Sequence, residues 1–182
     1  SGQSWSSQRS SCIGRPTSCP GSLLPLGEGC MPAATEVAES VLSCRGGDAL
    51  ACFLVAEHYR DLDSATSKDF IAEAARLAEP GCNRDELAAC SVLAITKMWS
   101  STDEAVIEAA VAELDKGCDG NVGFACLALM SYYQQTGDAE RQEQAAEKFC
   151  AAQPDVCGSD GVAIDEDVKS SLSGMWKQGD NY

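Results

Sequence analysis

The chain has 182 residues, room for one or two domains, and sets 13 basic against 28 acidic side chains for a formal charge of −15. That balance repels phosphate backbones and anionic lipid surfaces, which argues against a nucleic-acid partner. No apolar run approaches the roughly 18 residues a membrane helix needs, and the eleven cysteines, most of them evenly spaced, point to disulfides made in an oxidising compartment.

Residues 1–31 are rich in Ser, Gly and Pro and show no helical periodicity, so they read as an irregular N-terminal arm holding Cys12, Cys19 and Cys30. The polar start at Ser1 fits an exported chain whose signal peptide has already been removed. From Pro32 the composition turns to Ala, Glu, Leu and Val, and Val37, Val41 and Leu42 recur at helical spacing before Cys44. Leu54, Val55 and Tyr59 do the same after Cys52. The phrase between these helices, Ser43 to Cys52, then returns as Gly81 to Cys90 and as Gly117 to Cys126, each time with two cysteines eight apart. Recurrence at this period predicts a tandem array of helix-turn-helix units. The second unit offers Phe70, Ala74 and Leu77, then Leu87, Val92 and Met98. The third offers Val106, Ala110 and Leu114, then Leu127, Met130 and Tyr133.

Capping chemistry places helix starts at Ser67, at Thr102 with Asp103, and at Asp138, and helix ends at Gly81 and Gly117. One cysteine of each phrase then closes a first helix and the other lies one turn into the second, within bridging distance across a tight hairpin. Cys44–Cys52, Cys82–Cys90 and Cys118–Cys126 are therefore expected as staples. A fourth, shorter unit runs from Ala139 to Phe149 and adds Cys150 with Cys157. Residues 158–182 are expected to supply a capping helix, Asp165 to Trp176, and a polar tail. With three cysteines in the arm one is left over by parity: the reading is Cys12 with Cys19, leaving Cys30 unpaired or intermolecular, with Cys19–Cys30 the close alternative.

The carriers Cys44/Cys52/Val55/Tyr59, Cys82/Cys90/Leu93 and Cys118/Cys126/Leu129/Tyr133 resemble the pattern of Sel-one-like repeats, and more closely their cysteine-rich secreted branch, the Hcp-type proteins. The resemblance spans residues 32–157 and departs at Ala56, Ala94 and Met130, where the family has glycine, and at Lys97, where it has tyrosine. It implies an all-α superhelix of about four disulfide-stapled helix pairs related to tetratricopeptide units. Beta-lactam binding is associated with that branch.

Seven residues between paired cysteines is the wrong spacing for zinc, His58 is the sole imidazole, and Cys-x-x-Cys does not occur. No metal or cofactor is expected. A hydrolase or beta-lactam-binding protein would need a base such as His58 beside a nucleophile, and the Ser-x-x-Lys signature is missing. Asp160 and Asp165 to Asp167 lack the alternation of a calcium loop, and acidic side chains at a helix start explain them more simply. The expected function is non-enzymatic: an exported module, periplasmic, outer-membrane-associated or extracellular, that holds a protein or peptide. Position alone nominates Phe70, Arg76, Trp99, Glu108, Glu113 and Tyr132 for that surface. The alternative is a subunit of a cell-surface or envelope assembly that uses the N-terminal arm.

Overall fold

The computed structural model describes residues 4–6, 11–13, 19, 23–26 and 29–157. Two antiparallel hairpins come first: β1 (Ser4–Ser6) with β2 (Ser11–Ile13), and β3 (Leu23–Leu26) with β4 (Gly29–Pro32). A 3-10 turn at Thr35–Val37 leads, among the described residues, into seven helices: α1 (Ala38–Arg45), α2 (Ala49–His58), α3 (Ser64–Cys82), α4 (Leu87–Ser100), α5 (Glu104–Asp119), α6 (Gly123–Thr136) and α7 (Ala139–Ala152). The fold is all-α, an array of disulfide-stapled helix pairs. The expected capping helix and the acidic segment from Asp160 lie outside the described residues.

The chain divides into two compact units between Leu77 and Ala78, within α3. In the first, α1 packs against α2, and the β3–β4 hairpin sits over them. Leu24 from β3 is fully buried in a core with Val37, Val41, Val55 and Tyr59, against which Leu26 and Phe70 also pack. Two hairpin carbonyls are held from the helices: the Arg45 guanidinium donates to Leu23 O at 2.6 Å and the buried Thr66 hydroxyl donates to Pro25 O at 3.2 Å. The Tyr59 hydroxyl accepts the Ala34 N–H at 2.9 Å. The arm thus contains a built cap, which the absence of helical periodicity had made an irregular segment. Short strands broken by glycine and proline leave little signal.

In the second unit α4 packs on α5, α5 on α6 and α6 on α7, and the next-but-one pairs α4–α6 and α5–α7 also touch. This is the contact order of stacked helix pairs. Helix starts at Asp103 and Asp138 are as expected, their carboxylates accepting Ala105 N–H at 3.0 Å and Arg141 N–H at 3.1 Å. Ser67 is not a start. The helix begins a turn earlier at Ser64, where Asp63 accepts the Thr66 N–H at 2.9 Å, and Ser67 is buried inside it.

Gly81 and Gly117 do stand where the first helices stop, in the last turns that end at Cys82 and Asp119, but not in the left-handed conformation expected of them. The left-handed residues come four later, at Asp85 (φ 60°) and Asn121 (φ 63°), with Gly47 (φ 102°) in the first phrase. Each turn closes alike: the N–H of Asp48, Glu86 and Val122 donates to the carbonyl of Ser43, Gly81 and Gly117 at 3.0, 3.1 and 2.9 Å. The glycines are required by proximity. A Cβ on Gly81 would lie 2.7 Å from that of Ala89, and one on Gly117 would lie 2.1 Å from Ser91 Oγ and 3.1 Å from the Cβ of Ala125. With small residues in facing positions just before each cysteine, the helices approach until the bridged Cα atoms stand 4.6, 4.4 and 4.7 Å apart.

All three expected staples are present, and Cys150 joins Cys157. The arm pairing is corrected: Cys19 is bonded to Cys30, not to Cys12, with Cα atoms 5.6 Å apart. Cys30 lies in β4 opposite Pro25, and the segment holding Cys19 precedes β3 of the same hairpin, whereas Cys12 belongs to β2 of the other. Ten of the eleven cysteines are then used in five bridges, and by count Cys12 is the one without a partner in its own chain. Such bridging is that of a chain folded under oxidising conditions. No helix among the described residues is long and apolar enough to cross a membrane.

Candidate functional site

The buried stripe of α5 runs Val111, Leu114 and Cys118, and Asp115 falls beside it, a carboxylate at the edge of a core-facing row. On α7 the buried Ala145 and Phe149 mark the inner face, and Arg141, Gln144 and Lys148 follow one another at helical spacing along its border. From α6 comes Tyr133, buried on a helix face shared with Leu129. These three helices enclose a cleft of about 300 Å³ with Leu129 and Ala145 as apolar wall and Asp115, Tyr133, Arg141, Gln144 and Lys148 as polar lining. Its size sits at the lower end of small-ligand pockets and suits one side chain or a small group.

The charges in the cleft are ordered. Lys148 Nζ pairs with Asp119 Oδ1 at 2.5 Å, and Arg141 Nε lies 3.5 Å from Asp138 Oδ2 with its guanidinium 5.7 Å from the centre of the Tyr133 ring. Among the described residues no ion pair within 4 Å reaches Asp115. Burial pushes the Asp115 carboxyl above the ordinary carboxylate range, while Lys148, Arg141 and the Tyr133 hydroxyl pull the other way. Burial also raises the Tyr133 phenol, helped by the neighbouring Asp115.

None of the six residues nominated by position lines this cleft. Phe70 is packed against the Leu24 core, so its role is internal, in contrast to the expectation for it. Arg76 is exposed and grips Glu73 at 2.8 and 2.6 Å, and Glu113 takes Lys116 at 2.8 Å, each pair within one helix. Glu108 is exposed on α5, and Trp99 is half-buried in the last turn of α4. Tyr132 is half-buried with its ring edge-on to Tyr133, centres 5.4 Å apart. Sequence reasoning used Tyr133 as part of the apolar spacing of its helix and passed over Asp115, Arg141, Gln144 and Lys148. The available signal was a carboxylate intruding on an apolar helical stripe.

Tyr59 and Tyr133 occupy the same repeat position and are both buried. Tyr59 serves the cap through Ala34, whereas Tyr133 opens onto the cleft. His58, the one conventional base, is half-buried on α2 with its ring edge-on to Tyr59 at 5.0 Å. Its neighbour Glu57 has its carboxyl pushed up to about 7 by burial, with Arg60 opposing the shift. Among the described residues no group of three or more His, Cys, Asp or Glu side chains is placed to hold a metal ion. Comparison of the chain with protein families, curated proteins and solved structures finds no match.

Proposed function

We propose that this chain is an exported, non-enzymatic binding module of the Sel-one-like kind, which holds a protein or peptide on its repeat surface. The periplasm, the outer membrane or the extracellular space would be its setting. The observation that carries the reading is the cleft bounded by α5, α6 and α7. Its polar side chains are not consumed by the core, and a stack of helix pairs offers such a concavity as part of a longer surface. Its lining offers recognition groups rather than a nucleophile with a base: the one cysteine there, Cys118, is tied to Cys126. A photo-reactive residue at Gln144, in the cleft, is expected to give a discrete adduct in the cells that make the protein. The same residue at Glu143, one position along on α7 and outside the lining, should give none. Equal adducts from both positions, or none from either, would remove the reading.

A second reading, a subunit of an envelope assembly, is favoured by one observation: Cys12 is the odd cysteine and lies in the arm. It differs in requiring a covalent dimer on non-reducing electrophoresis that Cys12→Ser abolishes. A monomer in both lanes would sink it.

A further inference from the structure

We infer that the cleft between α5, α6 and α7 is a socket for a lysine or arginine side chain of the partner, with Asp115 as the counter-ion. The inference rests on the reading of the chain as a binding module and specifies what that module recognises. Three carboxylates and two cations meet at the cleft. Lys148 is matched by Asp119 and Arg141 by Asp138, both acids standing at the rim with side chains 63% and 39% exposed. Asp115, from the lining itself, is the carboxylate left over. Asp115 is partly withdrawn from water and, among the described residues, has no ion pair of its own within 4 Å; the Tyr133 hydroxyl and the already paired Lys148 and Arg141 offset its charge only in part, and an incoming cation completes the neutralisation.

The remaining lining fits the stem of such a side chain. Leu129 and Ala145 give an apolar wall for methylenes, while Gln144 and the Tyr133 hydroxyl supply hydrogen-bonding groups near the head. The volume of about 300 Å³ admits one long side chain rather than a folded ligand. The net charge of −15 would draw a basic segment toward the surface before any specific contact forms. An anion would find both cations already engaged by acids.

The test uses the full, oxidised chain and two capped peptides, acetyl-Gly-Lys-Gly-Lys-Gly-amide and its glutamate counterpart, titrated by calorimetry and by amide chemical shifts. The lysine peptide is expected to bind and to shift the amides of residues 115, 133 and 144. Asp115→Asn should weaken it at least tenfold, whereas Glu143→Gln with Glu147→Gln, which removes two exposed acids of α7 that are outside the lining, should change it less than twofold. The shift map reports on the parent protein, so it stands even if the asparagine variant folds poorly. Equal weakening by both sets of substitutions would reduce the effect to general charge attraction and overturn the socket. Binding of the glutamate peptide through Arg141 and Lys148 would reverse the assigned chemistry. Binding of neither peptide, beside a discrete adduct from Gln144, would overturn the socket and leave the binding module standing.

Discussion

Full reduction of the chain at neutral pH, without denaturant, is expected to abolish most of its helical circular dichroism, and re-oxidation under mild conditions to restore it. The four bridges in the helical array close rings over separations of eight, eight, eight and seven residues. A ring of that size removes about 2.5 kcal/mol of unfolded-chain entropy. Four of them amount to about 10 kcal/mol, comparable with the roughly 5 to 15 kcal/mol that separates a whole domain from its unfolded state. Helices of 8 and 10 residues, such as α1 and α2, are too short to persist without tertiary support. Retention of the full helical signal after complete reduction, confirmed by thiol counting, would show that packing alone sustains the array and that the bridges are secondary.

Leu24→Ala should cost about 3 kcal/mol, the range for removing a fully buried leucine side chain from a core that cannot collapse around the gap. The loss has a local signature. Leu24 is the residue through which β3 enters the core formed with Val37, Val41, Val55 and Tyr59, so the hairpin should loosen from α1 and α2. Hydrogen exchange would rise first at Ala34, whose N–H is held by Tyr59. Met31→Ala, at a side chain 53% exposed on the paired strand, is the control and should leave the melting temperature nearly unchanged. Equal effects from the two substitutions would mean that the hairpin is an appendage rather than the cap of the first unit.

The helix pairs and their staples were legible because they repeat, and a phrase written three times carries its own alignment. What remained hidden lay in the third dimension. Gly81 and Gly117 were read as left-handed stops because glycine commonly ends helices that way, yet the same residue is needed wherever two backbones nearly touch, and the sequence does not distinguish the two uses. The decisive clue stood three residues after the first cysteine, where Gly47, Asp85 and Asn121 share a tolerance for left-handed backbone. Phe70 was read outward for lack of any hint that a strand from the arm would cover it. Asp115, Arg141 and Lys148 each look like ordinary surface charges. Only the stacking of α5, α6 and α7 turns them into one cleft.

The bridges have a consequence for how the protein is made. No cysteine reaches more than eleven residues along the chain for its partner, whereas joining Cys52 to Cys82 would close a loop of thirty, at a higher entropic cost. Each correct bond can form under oxidising conditions as soon as its own hairpin has been made, before the next phrase appears. The native pairing is then the kinetically nearest one, and maturation can proceed in order from the first hairpin onward with little call on an isomerase to undo mistakes.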